Sequence, residues 1–365
     1  MKRRTSLGYL VDRTYIKIKG FNKIRTVKKD AKKRLKIING GYQGKKGEFE
    51  EVVKPYWKSY GIEPKKSWYQ IYCDGKGAFD PRYIPDDMWE GTIYPYFNNI
   101  VWGRAYADKC AYDRIFPALI KPRTIIKNSC GRFYDGTQNI ISREEAVRLC
   151  TKEDRFIVKF TTFSSGGLNI RVFERGEVNE QEIRAFFDKY EVNFIVQELV
   201  EQHPELAKIH ATSLNTLRVI SFCFKGNVHI LSAQLRMGSG EARIDNYSSG
   251  GYACNVNRDG RLSEKAVSKA EGWATTHPCG LAFKDIIVPN YEDVLNVIRE
   301  EHPKLPQMNI IGWDFAIGKN GEPVFIEINV TPESNQNGSG PTFGDLTEEV
   351  LEDVFIKKTL KDVFL

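Results

Sequence analysis

The chain has 365 residues, 41% hydrophobic and 12% aromatic, the make-up of a globular protein with room for two or three packed lobes. No run approaches ~18 uninterrupted apolar residues and the basic start lacks an apolar h-region, so neither a membrane span nor a signal peptide is expected and the protein is placed in the cytoplasm. Seven cysteines scattered without C-x-x-C pairs argue against a zinc site or a disulfide framework and fit reduced, buried thiols.

Charge is uneven. Residues 1–36 hold fourteen Lys and Arg against Asp12 and Asp30, a net of +12 that leaves −5 for the rest of a chain totalling +7. Such an arm is either a solvated basic segment or a contact for an anionic membrane face or a polyanionic glycan. Nucleic acid is a further partner class, but no zinc-finger spacing or aromatic RNP-like motif supports it. Asn39-Gly40-Gly41 and Gly44–Gly47 then mark a break; Lys45 there does not complete a phosphate-loop pattern. The aromatic stretch from Phe49 to Tyr106 is interrupted by prolines and reads as an irregular cap.

Ala107–Phe116 has the spacing of a short helix with Asp108 at its N-cap and Lys109 in its first turn. A hairpin is expected over Ile125–Lys127 and Arg132–Tyr134, then a helix opened by the capping box at Ser142. The strand Phe156–Phe160 carries Lys159 into a small-residue loop with Ser164, Ser165, Gly166 and Gly167, where one ammonium and several backbone N–H groups can approach phosphate. An amphipathic helix over Asn179–Tyr190 leads to the strand Asn193–Val200, which contains Gln197, Glu198, Leu199 and Val200.

Leu217–Phe224 and Val228–Met237 alternate as adjacent strands joined by Lys225-Gly226-Asn227. They carry Arg218 and Arg236, and Arg243 and Asn246 follow before Gly250-Gly251. A lone strand arginine is usually a wet-face residue, whereas a cluster suits phosphate because the guanidinium fork donates in pairs. His277 lacks an HxH or HExxH companion and reads as packing or surface. Asn290 is expected to cap a helix over Tyr291–Glu300, and Asp345–Glu348 to open a last helix.

The most specific stretch is Ile311–Pro332. Gly312–Ile317 and Pro323–Asn329 read as strands of a hairpin turned at Lys319-Asn320-Gly321. Glu327 and Asn329 then share a face, with Ile326 and Ile328 directed into a core, and pairing across the turn can bring Asp314 beside them. Two carboxylates and an amide carbonyl are hard oxygen ligands suited to Mg2+. A wet hairpin with surface acids is the plain alternative.

The hairpin, with Thr331-Pro332 after it, resembles the metal-binding hairpin of the ATP-grasp superfamily. The order of Asp108-Lys109, Lys159 before its loop, Gln197-Glu198-Leu199-Val200, the arginine strands and the final D-x12-E-x-N follows that plan. Tyr83–Asp87, Asn215–Arg218, Asp245-Asn246 and Gly312-Trp313-Asp314 resemble its sugar-transfer-associated family. The resemblance implies an α+β fold of two lobes gripping ATP. It divides the chain into a basic arm (1–40), a cap (41–106), a first lobe (107–200) and a second lobe with the hairpin (201–365). It implies Lys109, Lys159, Ser164–Gly167 and Gln197–Val200 on ATP, and Asp314, Glu327 and Asn329 on Mg2+, with Mn2+ as a substitute. Arg218, Arg236, Arg243 and Asn246 would stand at the transferred phosphate. The implied activity is ADP-forming ligation of a carboxylate to an amine through an acylphosphate, on a surface-polysaccharide sugar acid or precursor, with peripheral contact at the inner membrane face. A kinase and an inactive nucleotide-binding module are the alternatives. One departure is Gly312, where D-alanine ligases carry an arginine, so another arginine must serve.

Overall fold

The computed structural model describes residues 7–73, 77–162, 170–240, 250–268 and 271–360. The basic segment is a single helix, α1 (Leu7–Ile37), stopped where Asn39 and Gly40 both take positive φ and the Gly40 N–H donates to the Leu35 carbonyl. Its inner side packs on short helices between Phe49 and Tyr106, including Lys66–Tyr72 and Asp86–Met88. Gly91 permits this approach: a Cβ there would stand 2.6 Å from Ile24 Cδ1. The prolines keep these helices short, and aromatic burial holds them together, with Trp57, Trp68, Trp89, Tyr94 and Phe97 almost fully enclosed.

A six-stranded antiparallel sheet follows: β1 (Thr124–Ser129), β2 (Arg132–Asp135), β3 (Ile140–Ile141), β4 (Phe156–Phe160), β5 (Arg171–Phe173) and β6 (Phe194–Gln197), in the order β3-β2-β1-β6-β4-β5. Helices α2 (Arg143–Thr151) and α3 (Glu180–Tyr190) supply Val147, Ile183 and Phe186 to its core. Ser142 and Asn179 cap them by accepting from the Glu145 and Glu182 N–H groups.

The second sheet has seven antiparallel strands: β7 (Thr216–Phe224), β8 (Asn227–Met237), β9 (Tyr252–Val256), β10 (Leu262–Ser268), β11 (Gly272–Ala274), β12 (Ile310–Ile317) and β13 (Pro323–Asn329), ordered β11-β10-β9-β8-β7-β12-β13. One face buries Leu217, Val219, Leu235, Trp313 and Phe315 against Val294 and Ile298 of α4 (Tyr291–Glu301). The opposite face is divided. Ile220, Phe222, Phe224 and Ile310 lie under the cap with Phe343 and Val350 of the C-terminal segment, whereas the next residues along the same face are Arg218 and Asp314. The cap thus leaves this part of the sheet face polar.

Three local expectations change. The strand expected to reach Val200 ends at Gln197. Asn290 does not cap α4; it takes a left-handed backbone and donates Nδ2 to the Gly321 carbonyl at 2.8 Å, tying the helix to the hairpin turn. No side-chain cap precedes the C-terminal helix Thr347–Leu351.

Candidate active site

Four side chains stand in register across four strands. Glu327 on β13 is opposite Asp314 on β12, Asp314 is opposite Arg218 on β7, and Arg218 is opposite Gln234 on β8. Directly opposed residues put their side chains on one face, so the row is contiguous although Arg218 and Glu327 lie 109 positions apart in the chain. The guanidinium grips Asp314 in two places, Nε to Oδ1 and Nη2 to Oδ2, the latter at 2.5 Å. Arg218 is only 7% exposed and Asp314 6%. Burial pushes the Asp314 carboxyl up, but Arg218, with Arg236 behind it, holds the group below the usual carboxylate range. Asn329 joins them, its Nδ2 3.3 Å from Asp314 Oδ2.

Glu327 is met by Lys109, whose Nζ lies 2.7 Å from Oε2. The lysine is aimed by two bonds. The Asp108 carboxylate caps its turn by accepting from the Cys110 N–H, and the Lys109 N–H donates to the Thr161 carbonyl just beyond β4. Lys159 on β4 is enclosed as well. Burial, then the Lys109 charge, pushes its ammonium down to about 8, against a pull upward from Glu327. Lys109, Lys159 and Glu327 thus form one electrostatic group where the two sheets meet.

Beside it is a crevice lined by Lys109, Tyr112, Lys121, Gln197 and Ile326, with an enclosed volume of about 10 Å³. That is the room of about one water. Gln197 reaches the Pro122 carbonyl at 3.3 Å. Glu198 accepts from the Arg123 N–H at 3.0 Å and pairs with its guanidinium, a bond that ties β6 to the segment before β1. Leu199 and Val200 follow, half-buried. Glu201 is paired with Lys319 and Arg155, and Glu205 with Lys208. Ser164–Gly167, Arg243 and Asn246 lie outside the described residues.

Ile326 differs from the sequence expectation. The register of β12 and β13 shifts between Asp314 and Phe315, leaving Ile326 as the additional residue of a bulge. Phe325 and Ile328 keep their place in the core, and Ile326 turns to the crevice. Gln234 was also absent from the residues singled out by motif. Gln234 Nε2 donates to the Asn337 carbonyl at 3.3 Å, Trp89 Nε1 to the Pro332 carbonyl at 2.9 Å, and Gln336 pairs with both backbone groups of Ile84. The cap therefore forms one wall of the site. Long-range pairings of this kind leave no periodic trace in sequence.

Among the described residues no cluster of three or more His, Cys, Asp or Glu side chains is placed to hold a metal. The candidate set is two carboxylates and an amide oxygen on one face, all hard donors of the kind Mg2+ takes, with cations of the chain against both acids. Such an arrangement can exchange partners: a polyphosphate takes the lysines and arginines while a divalent ion takes the acids.

A family model described as sugar-transfer associated ATP-grasp matches residues 105–340. No curated protein matches the chain. Among solved structures, the ATP-grasp ligase PsnB in complex with a phosphomimetic variant of its minimal precursor, Mg and ADP aligns with a TM-score of 0.42 and 12% identity, over 71% of this chain and 61% of that one. An L-amino acid ligase from Bacillus licheniformis aligns at 0.38 and 11%, over 70% and 49%, and D-alanyl-alanine synthetase A from Vibrio cholerae at 0.36 and 14%, over 76% and 67%. The chain thus spans about three fifths of the PsnB chain and half of the Bacillus ligase.

Proposed function

The chain belongs to the sugar-transfer-associated ATP-grasp family, and from that premise we propose that it is an ATP- and Mg2+-dependent carboxylate–amine ligase. The observation that carries the reading is the contiguous set Lys109, Glu327, Asp314 and Arg218, which puts acids and phosphate-binding cations on one sheet face beside the crevice. Asp314, Glu327 and Asn329 are the residues that would hold Mg2+. Bound there, the ion would screen charge on the phosphate oxygens. Lys109 and Lys159 neutralise the triphosphate from the side of the six-stranded sheet, and Gln197 and Ile326 line the place of the base. Arg218 and Arg236 stand where negative charge grows on the transferred group.

In the proposed reaction an oxygen of the substrate carboxylate attacks the γ-phosphorus and the bond to ADP breaks, giving an acylphosphate. An amine then attacks the acyl carbon, phosphate leaves, and the nitrogen loses a proton to give the amide. The protein positions and neutralises and needs no covalent step of its own. For the carboxylate the reading takes a sugar acid or a surface-polysaccharide precursor, in keeping with the sugar-transfer association of the family, and for its partner an amino acid or simple amine.

The test is product analysis with ATP, sugar acids and amines supplied singly and together. Release of ADP and free phosphate only when both are present supports ligation. Phosphate retained on an acceptor would make the protein a kinase, and ATP left intact under every combination, with nucleotide still bound, would make it a binding module.

A further inference from the structure

We propose that the outward side of α1 is a docking surface for an anionic lipid bilayer. At about 100° per residue, Ile18, Phe21, Arg25, Lys29, Lys32 and Lys36 fall within roughly 80° of arc, a straight stripe about 27 Å long. Ile24, Val27, Ala31 and Leu35 occupy a separate arc, centred about 120° round the helix from the stripe, and pack into the cap. The two sides also differ in how their charges are matched. Toward the cap, Lys23 pairs with Glu90 at 3.5 Å and Lys28 with Asp87 at 3.2 Å, and Arg34 bonds Asn337. Among the described residues Arg25, Lys29, Lys32 and Lys36 are in no ion pair, and all four are exposed. The cap has thus taken up the cations on its own side of α1 and left the outward row of cations unmatched.

The apolar pair at one end selects the kind of polyanion. Phe21 is 67% exposed and Ile18 57%, one helical turn apart and continuous with the lysine row. A nucleic acid or an acidic glycan would meet the cations but offers no continuous apolar layer for both side chains to enter. A bilayer accepts both, headgroups for the lysines and the acyl boundary for the phenyl ring. No helix among the described residues is long and apolar enough to cross a membrane, so the contact is peripheral. This inference does not depend on the ligase chemistry. It predicts that the polar sheet face is held at a fixed orientation to the lipid surface, because Arg34 on the same helix bonds Asn337, whose carbonyl accepts from Gln234.

The experiment is co-sedimentation of the full chain with vesicles of phosphatidylcholine alone or mixed with phosphatidylglycerol. Binding is expected to the mixed vesicles only. Each cation near an anionic surface is worth roughly a fivefold change in partition, so Arg25→Glu, Lys29→Glu and Lys32→Glu combined should lower it at least a hundredfold. Phe21→Ser should weaken vesicle binding severalfold without affecting retention on heparin. These side chains are outside the packed core, so circular dichroism should be unchanged in both variants. Equal binding to both vesicle types, no binding to either, or a Phe21→Ser variant that binds mixed vesicles like the parent would overturn the proposal; the last result would point to a soluble polyanion.

Discussion

Arg218 and Asp314, ninety-six residues apart in the chain, face one another across two adjacent strands and form a two-point ion pair almost wholly removed from solvent. The pair puts an arginine beside the acid from a neighbouring strand, while the position two before Asp314 on its own strand is Gly312. Removing one partner strands a buried charge, which costs about 3–5 kcal/mol, while removing both leaves a much smaller deficit. Urea unfolding of Arg218→Met, Asp314→Asn and the double variant should therefore give a double-variant loss well below the sum of the singles. Additive losses would mean that the two groups act independently.

Gly312 packs closely against its neighbours. A Cβ there would lie 3.0 Å from Pro332 Cβ and 3.3 Å from both Asn329 Cβ and Ile220 Cδ1, so a side chain on Gly312 would press on all three. Gly312→Ala should destabilise the chain by about 1–3 kcal/mol through overpacking. Gly312→Arg should not restore nucleotide binding to Arg218→Met. Rescue in a binding titration would show that the position is open.

The hairpin was legible because its apolar alternation and Asn-Gly turn are local signals. The Arg218–Asp314 pairing was not, since register between β7 and β12 is fixed by which face each strand buries, and nothing local reports that. The same limit hid the bulge that turns Ile326 to the crevice. Asn290 was misread because an asparagine before a helix looks like a cap whether its amide serves that helix or, as here, the turn at Gly321. The basic arm was readable as charge, but the division of α1 into a matched and an unmatched side depended on Glu90 and Asp87, 67 and 59 residues from their partners.

Lys159 gives a pH signature. Its folded value of about 8 lies below the 10.5 of the free side chain, so between those values the unfolded chain holds more protons and stability rises with pH. Triphosphate requires the charged ammonium, so nucleotide affinity should fall as pH climbs past 8. Lys159→Arg, which keeps its charge, should flatten that decline. A titration of ATP affinity from neutral to alkaline pH checks both, and an unchanged slope in Lys159→Arg would assign the decline elsewhere.

Glu90 gives the opposite dependence. Burial pushes its carboxyl up to about 7, with Asp86 and Glu333 adding to the shift and Lys23 opposing it. The folded chain then holds the extra proton between 4.5 and 7, and the stability associated with it declines as pH rises through that window. Glu90→Gln should raise stability at pH 8 by roughly 1–3 kcal/mol and leave it unchanged near pH 4. Denaturant melts at the two pH values decide the matter; equal effects at both would show that packing, not ionisation, governs the site.

In the proposed reaction Asp314, Glu327 and Asn329 would gather a divalent ion that presents a triphosphate to Lys109 and Arg218. Electron paramagnetic resonance of Mn2+ titrated with a non-hydrolysable ATP analogue reads that directly. The parent chain should show a bound-ion spectrum that needs the nucleotide, and Glu327→Gln and Asp314→Asn should lose it while their circular dichroism stays native. An unaltered bound-ion spectrum in both variants would contradict the assignment.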